Sequence, residues 1–143
     1  MSFNVLIVDD SASMRAVIRK IIAISGFRLD QCFEAANGRE ALERLKCHWV
    51  DVILSDINMP EMNGMELLQA LQGDALLQNI PAIMVSTDGS TERMTDALRA
   101  GAREFIKKPF LPEEIRRVLY NVMGVGSDGE YQEDRTDPDN SDF

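Results

Sequence analysis

Short apolar runs alternate along the chain with segments in which apolar residues recur at helical spacing. The run from Val5 to Val8 is continuous, as in a strand that is buried on both faces. It is followed by five residues at the i, i+3, i+4, i+7 and i+8 positions of one helix face, namely Met14, Val17, Ile18, Ile21 and Ile22. Gly26 marks the end of this helix. The beginning of the chain therefore predicts a strand followed by a helix.

The same alternation recurs along the next hundred residues. Further strands are predicted at Leu29–Ala35, Val50–Ser55, Pro81–Ser86 and Glu104–Lys107. Further helices begin at Asn37-Gly38, after the loop 56–63, at Thr91 and at Pro112, with inward positions at Ala41, Leu42, Leu45, Met65, Leu68, Leu71, Met94, Ala97, Leu98, Ile115, Val118, Leu119 and Val122. Five strands that alternate with five helices predict an α/β fold, a doubly wound parallel sheet with helices on both faces.

The composition describes one domain that is followed by an acidic tail. The chain has 143 residues, of which 45% are hydrophobic and 27% charged, and its net charge is -9. Seven acidic residues but only one base, Arg135, fall in residues 124–143. We therefore expect residues 1–123 to form the folded domain and residues 124–143 to be disordered.

The charge and hydropathy of the chain also exclude some partners. An acidic protein lacks the basic surface that nucleic acid binding requires. No apolar run approaches the roughly 20 residues that a membrane span needs. We accordingly expect a cytoplasmic protein that binds neither nucleic acid nor membrane.

Three other residues are expected to be buried for packing. Cys32 and Cys47 lack C-x-x-C spacing, and we expect both to be reduced and buried. Trp49 is also expected to pack within the fold, whereas His48, the only histidine, is expected at the surface.

Polar side chains follow four of the predicted strands at the point where each strand ends. They are Asp9 and Asp10, Ser55 and Asp56, Ser86, and Lys107 and Lys108. In open parallel sheets the functional residues gather at this edge. Two like charges about 4 Å apart repel by about 4 kcal/mol at an effective dielectric constant of 20. A cluster of carboxylates at this edge would therefore take up protons or bind a cation.

This set of residues suits phosphoryl transfer that involves a divalent cation. Oxygen ligands favour a hard cation, and so few of them favour Mg²⁺ over Ca²⁺. A carboxylate can attack phosphorus to form an acyl phosphate, while the cation and Lys108 offset the charge of the phosphoryl oxygens. Because the chain has no G-x-x-x-x-G-K-[ST] motif, we do not expect the phosphoryl donor to be ATP.

Four motifs in this order resemble the receiver domains of two-component response regulators. They are Asp9-Asp10 after an apolar strand, Asp56-Ile57-Asn58-Met59-Pro60, Val85-Ser86-Thr87 and Lys108-Pro109-Phe110. The resemblance covers residues 3–123, and 10–15 and 58–60 are most similar to the single-domain members that act in chemotaxis. It implies the strand order 2-1-3-4-5 that flavodoxin and the chemotaxis regulators are known to share. In this order Asp9, Asp10 and Asp56 converge.

The resemblance implies a role for each residue of the cluster. Asp56 would be the phosphoacceptor and would receive the phosphoryl group from a phosphohistidine of a sensor histidine kinase of the chemotaxis type. Mg²⁺, for which Mn²⁺ could substitute, would be bound directly by Asp10 and Asp56, through water by Asp9, and by the backbone carbonyl of Asn58. Lys108, whose bond to Pro109 is cis in the family, would contact the phosphoryl group.

The resemblance also implies how the signal is switched and ended. The hydroxyl of Ser86 would move toward the phosphoryl group, and Phe105 occupies the position of an aromatic switch residue that is often Tyr. Without a phenolic hydroxyl, its rotation would be driven by packing alone. Asp88 and Asn58 would tune dephosphorylation, and Asp88 resembles members that lose the phosphoryl group quickly. The protein would catalyse only its own phosphorylation and dephosphorylation, as a signalling protein rather than an enzyme.

The downstream partner is implied in the same way. A target protein would bind the face formed by the fourth helix, fifth strand and fifth helix, where Arg103, Lys107 and Arg116 could meet an acidic segment. The acidic tail could compete for this face, and a phosphatase is a further candidate partner.

Three alternatives remain open at this point. The chain could be the receiver part of a longer regulator, with the tail as a linker. It could be a flavodoxin-like binder of a flavin or another phosphate-bearing ligand, although such proteins need a loop rich in hydroxyl groups and glycine where Asp9 and Asp10 stand. It could also be a Mg²⁺-dependent phosphatase, although these typically have D-x-D after the first strand.

Overall fold

Strands and helices alternate strictly along residues 2–124, which are the residues that the computed structural model describes. The strands are β1 (Phe3–Val8), β2 (Leu29–Ala35), β3 (Val52–Ser55), β4 (Ala82–Ser86) and β5 (Glu104–Lys107). The helices are α1 (Ala12–Ser25), α2 (Gly38–Cys47), α3 (Gly64–Gln72), α4 (Thr91–Arg99) and α5 (Pro112–Val122). Every predicted element is present. The prediction of a disordered tail concerns residues that, apart from Gly124, lie outside the described part of the chain.

The five strands form one parallel sheet in the order β2-β1-β3-β4-β5, which confirms the predicted fold class. β1 lies between β2 and β3, and Val8 at its end is opposite Ala35 on one side and Ser55 on the other. Because β1 and β3 end in register, the residues that follow them, Asp9 and Asp56, leave the sheet side by side.

Each face of the sheet buries its own apolar cluster. Val5 and Ile7 of β1 face the helices α1 and α5, whereas Leu6 and Val8 face α2, α3 and α4. All four side chains are at most 1% exposed. A strand covered on both faces has no solvent-facing side, which explains why its sequence is continuously apolar rather than alternating.

Short polar side chains fix the starts of four helices. Ser11, Asn37, Asn63 and Ser90 each accept a hydrogen bond from the backbone N–H three residues later. Pro112 begins α5, where its missing N–H costs nothing. Gly26 ends α1 with a φ angle of 87°, which glycine adopts without strain. Helix starts and ends are therefore set locally, as the sequence indicated.

Several side chains that were predicted to point inward are exposed. Val17 of α1 is 49% exposed, and Met94 and Leu98 of α4 are 36% and 46% exposed. In α1 the fully covered positions are Ile18 and Ile22, and in α4 only Ala97 is buried. Each of these helices touches the sheet along a strip that is narrower than its apolar face, so the outer apolar residues remain at the surface.

The burial predictions for Cys47 and Trp49 are wrong. Cys47 at the end of α2 is exposed, and Trp49 is 77% exposed. Cys32 is half-buried, and burial raises the pKa of its thiol to about 11. His48 is exposed as expected and stacks on Phe33 with ring centroids 4.2 Å apart.

Tyr120 is a core residue that the sequence did not reveal. It is 1% exposed, and its ring lies 4.9 Å from that of Phe27. Its hydroxyl accepts a hydrogen bond from the backbone N–H of Arg28 at 3.0 Å, which satisfies the polar end of an otherwise buried ring. This contact ties the end of α5 to the turn between α1 and β2.

The start of α3 lies against the loop that carries Asp56. The Gly64 N–H donates to the Ile57 carbonyl at 2.8 Å. A Cβ atom at position 64 would collide with the carbonyl oxygen of Asp56 and would lie 2.9 Å from the Cα of Ile57. Only glycine allows this close approach, which fixes the backbone on which Asp56 stands.

We expect Gly64→Ala to lower the free energy of unfolding by about 1–3 kcal/mol, because backbone atoms must move to admit the methyl group. Gly73→Ala is the matched control at the other end of α3, since its nearest contact would be an ordinary 3.4 Å. Urea titration of both variants measures the effect. Equal stabilities of the two variants would contradict this explanation.

Candidate metal and phosphorylation site

Three carboxylates converge where β1 and β3 end. One oxygen each from Asp9, Asp10 and Asp56 lies within 4.8 Å of the others. Asp9 is 2% exposed, Asp56 is half-buried and Asp10 is exposed, so the cluster opens to solvent on one side. A set of oxygen donors that is partly open to water suits Mg²⁺, which retains some of its waters when bound to a protein. The residues present therefore fit the cation that the sequence predicted.

Asp9 is held by hydrogen bonds through both of its carboxylate oxygens. Oδ1 accepts from the Ser11 N–H at 2.9 Å, and Oδ2 accepts from Lys108 Nζ at 3.1 Å. Its backbone is fixed as well, since its N–H donates to the Ala35 carbonyl at 3.0 Å and its own carbonyl accepts from Arg15. Asp9 is thus a rigid buried charge whose oxygens already have partners.

Asp56 has one anchored oxygen and one that faces the cluster. Oδ1 accepts from the N–H of Ile57 at 2.8 Å, and Oδ2 lies 3.8 Å from Lys108 Nζ. Its backbone N–H donates to the Val8 carbonyl at 2.8 Å, which extends the pairing of β1 and β3. The carboxylate is therefore oriented by the sheet rather than by a flexible loop.

Burial raises the pKa of Asp56 above its ordinary value, and the charges of Asp9 and Asp10 raise it further. The ammonium group of Lys108 and the hydrogen bond from Ile57 act in the opposite direction but do not cancel the effect. The ionised form of Asp56 is accordingly disfavoured by its surroundings.

Lys108 supplies the positive charge of the cluster. Its side chain is 11% exposed and bridges Asp9 and Asp56. Its N–H donates to the carbonyl of Ser86 at 2.8 Å, and its bond to Pro109 is cis. The neighbouring Lys107 is exposed. The structure thus brings Lys108, rather than Lys107, to the acidic cluster.

Four other predicted residues, Ser86, Asn58, Phe105 and Asp88, are not members of the acidic cluster. Ser86, 1% exposed, lies at the end of β4, and its Oγ accepts from the Asp88 N–H at 3.1 Å. Asn58 is exposed two positions after Asp56, and Phe105 of β5 is half-buried against the core under α2, α3 and α4.

The contacts of Asp88 lead toward α4 instead of the cluster. Oδ1 accepts from the Ser90 N–H at 3.1 Å, and Oδ2 lies 3.6 Å from the Arg93 Nε. The hydrogen bonds from Ser90, together with Arg93, lower the pKa of Asp88. Asp88 is therefore a fixed anion at the start of α4.

The sequence patterns did not identify two residues that support the site. Arg15 of α1 donates to the carbonyl of Asp9 and to Oε1 of Glu34, the latter at 2.8 Å. Glu34 of β2 also lies 3.1 Å from Arg19. The i to i+2 spacing of Asp9 and Ser11 offered a local signal for the turn, but nothing local in the sequence pairs α1 with β2.

We expect Asp56→Asn to raise the free energy of unfolding of the metal-free protein at neutral pH. A carboxyl group with a raised folded-state pKa contributes stability at low pH that is lost as the pH rises through that pKa. The amide removes the charge and keeps an acceptor for the Ile57 N–H. The gain should disappear below the ordinary pKa of aspartate. Denaturant titrations with a chelator at several pH values measure this change.

Asp88→Asn serves as the control of opposite sign, because hydrogen bonds favour the ionised form of Asp88. It should lower stability at neutral pH. Changes of the same sign in both variants would contradict the electrostatic account of Asp56.

None of the helices within residues 2–124 has the length and hydropathy that crossing a membrane requires.

Comparison with known proteins identifies the family of this chain. The sequence model of the response regulator receiver domain matches residues 5–120. The chain is 40% identical over 125 residues to a chemotaxis protein CheY homolog of Campylobacter jejuni, covering 87% of this chain and 95% of that protein. It is 37% identical to the chemotaxis protein CheY1 of Helicobacter pylori, covering 85% and 98%.

A solved structure agrees with these relatives. The chemotaxis response regulator CheY4 of Vibrio cholerae superimposes with a TM-score of 0.75 at 34% identity, covering 85% of this chain and 99% of that one. The predicted resemblance is thereby confirmed, and the chain belongs to the response regulator receiver domain family.

Proposed function

We propose that this protein accepts a phosphoryl group on Asp56 in a Mg²⁺-dependent reaction and then changes its contacts with other proteins. The observation that carries this proposal is the convergence of Asp9, Asp10 and Asp56 within 4.8 Å, with Lys108 bridging two of them. The donor is a phosphohistidine of a sensor histidine kinase. Family membership favours this function over the flavodoxin-like and phosphatase alternatives.

The family resemblance assigns the metal ligands. Asp10 and Asp56 would hold the cation directly, together with the backbone carbonyl of Asn58; the exposure of Asp10 and the free Oδ2 of Asp56, which faces the cluster, suit this role. Asp9 acts through water, because its oxygens are already bonded to Ser11 and Lys108. Mg²⁺, or Mn²⁺ in its place, supplies positive charge that offsets the phosphoryl oxygens when bound.

In the transfer step, a carboxylate oxygen of Asp56 attacks phosphorus. The new O–P bond forms as the P–N bond to the donor imidazole breaks, and the departing imidazole nitrogen keeps the electron pair of that bond. Lys108 lies 3.8 Å from Oδ2 of Asp56, close enough to bind an oxygen of the transferred group. Dephosphorylation ends the signal. Water attacks phosphorus, the aspartyl O–P bond breaks, and phosphate leaves.

Switching begins at Ser86, whose Oγ accepts the Asp88 N–H in the unphosphorylated protein. A hydrogen bond from this hydroxyl to the phosphoryl group favours a conformer in which the link between Ser86 and Asp88 is rearranged. Asp88 leads through Ser90 to the start of α4, so the change reaches this helix. Phe105 of the neighbouring β5 then repacks without a hydroxyl group to guide it.

The face of α4, β5 and α5 is the proposed output surface. Arg103 and Lys107 are exposed there and suit an acidic partner segment. Arg116 is less available to such a partner, because its guanidinium carbon lies 5.5 Å from the ring centre of Tyr120 and its Nε is buried.

We assign the protein to chemotaxis signalling in the cytoplasm because the relatives described above are chemotaxis proteins. Residues 1–123 form the receiver domain and residues 124–143 an acidic extension. The same proposal includes a phosphatase as a further partner of the protein.

Incubation with acetyl phosphate and Mg²⁺ should add one phosphoryl group to the protein, measured as intact mass. The gain should be lost in Asp56→Asn and after chelation of the metal, and kept in Asp30→Asn, an exposed aspartate of β2. Lys108→Ala should retain metal binding but switch poorly. A phosphoryl group that persists in Asp56→Asn would refute the assignment of the acceptor.

We expect Asp88→Ala to prolong the lifetime of the phosphoryl group several-fold. An acid at this position resembles family members that lose the phosphoryl group quickly, and its carboxylate, which is held by Ser90 and Arg93 in this structure, is the acceptor that the substitution removes. Glu92→Ala, an exposed acid in the first turn of α4, is the control. Mass spectra taken at timed intervals give the half-life of the phosphorylated protein. Equal half-lives of wild type and Asp88→Ala would count against this role.

A further inference from the structure

An apolar groove lies at the edge of the sheet opposite to Asp56. It has a volume of about 720 Å³ and runs between the ends of α2 and α3 and the segments that lead into β3 and β4. Its apolar lining includes Leu42, Leu45, Val50, Leu77 and Ile80. Because the strands are parallel, the amino ends of β3 and β4 are remote from the acidic cluster at their carboxyl ends.

Two large apolar side chains of the groove are exposed. Trp49 is 77% exposed and Leu76 is 89% exposed. Singly exposed apolar residues are ordinary, but here a tryptophan and a leucine extend the apolar surface of one groove. The burial of Trp49 that the sequence predicted is thus not achieved within one copy of the folded chain.

Hydrogen bonds hold the exposed tryptophan in place. Its Nε1 donates to Oδ1 of Asp51 at 3.0 Å, and its carbonyl accepts from Asn4 Nδ2 at 2.8 Å. Oδ2 of Asp51 in turn accepts from the N–H of Asn4 at 2.8 Å. A side chain that is already fixed loses little entropy when it is covered, and tryptophan is prominent among residues that dominate binding energy.

The groove lining carries one charge of each sign. Lys46 at the end of α2 lines one wall, and Asp74 after the end of α3 lines the other. A partner that presents an acid opposite Lys46 and a base opposite Asp74 is complementary to the two walls. A two-fold axis through the groove exchanges the two walls, which brings Lys46 of one copy to Asp74 of the other and the reverse.

We propose that this groove binds a second copy of the chain in a symmetric dimer. Trp49 and Leu76 of each copy enter the groove of the other, and two reciprocal pairs of Lys46 and Asp74 close the rim. The extension 125–143 fits the groove less well, because its seven acids and one base have no matching excess of positive charge there. The dimer leaves the acidic cluster open and is independent of phosphorylation.

Sedimentation velocity of the full chain over a wide range of concentrations tests the dimer. The mass should rise from that of the 16.0 kDa chain toward twice that value. Trp49 is the only tryptophan, so its fluorescence should shift to shorter wavelength over the same range. Trp49→Ala should abolish association, whereas Ile24→Ala, which alters a 64% exposed residue of α1, should not.

Charge reversal tests the two-fold arrangement itself. Lys46→Asp alone and Asp74→Lys alone should each weaken self-association by about tenfold, because two attractive pairs become repulsive. An equimolar mixture of the two variants should recover association, since every contact between unlike variants again joins opposite charges. Lys20→Asp on α1 is the control for net charge.

Three outcomes would overturn the proposal. One is a chain that stays monomeric up to its solubility limit. Another is association that Trp49→Ala leaves intact. The third is a tryptophan emission that is already shifted in the dilute monomer and reverts on deletion of residues 125–143, which would make the tail the occupant.

Discussion

The repulsion among Asp9, Asp10 and Asp56 is the constraint on which the rest of the site depends. At 4 Å, each pair of like charges costs about 4 kcal/mol at an effective dielectric constant of 20. The parallel pairing of β1 and β3 imposes this proximity, because Val8 and Ser55 end in register. Burial, and after it the charges of Asp9 and Asp10, raise the pKa of Asp56, and the ammonium group of Lys108 offsets only part of this effect. We propose that the remaining charge imbalance gives the cluster both its affinity for a cation and its reactivity toward phosphorus.

A cluster of this kind needs a rigid frame, since flexible carboxylates would simply move apart. The frame is the sheet, whose central strands are covered by helices on both faces. Asp56 is fixed through its backbone to Val8 and through Oδ1 to Ile57, while Gly64 lets α3 press against the same loop. The packing that stabilises the fold therefore also keeps the three carboxylates close together despite their repulsion.

The sequence predicted the parts of this structure that depend on local pattern. Strands and helices follow from apolar spacing and capping residues, and the strand ends identified Asp9, Asp56 and Lys108 as neighbours. What it could not predict depends on packing between distant elements. The hydroxyl of buried Tyr120 has the N–H of Arg28 as a partner, and the exposed Trp49 lies in a segment that Asn4 holds through a hydrogen bond to its carbonyl. Neither contact has a signature in the residues near it along the chain.

The two ends of the sheet also differ in how they connect to the helices. From the acidic cluster, hydrogen bonds run from Ser86 through Asp88 and Ser90 to the start of α4. The apolar groove instead involves the ends of α2 and α3 and is anchored through Asp51 to Asn4. In our proposals, phosphorylation of Asp56 acts through the first set of contacts and self-association through the second. The two proposed activities therefore use opposite ends of one small domain.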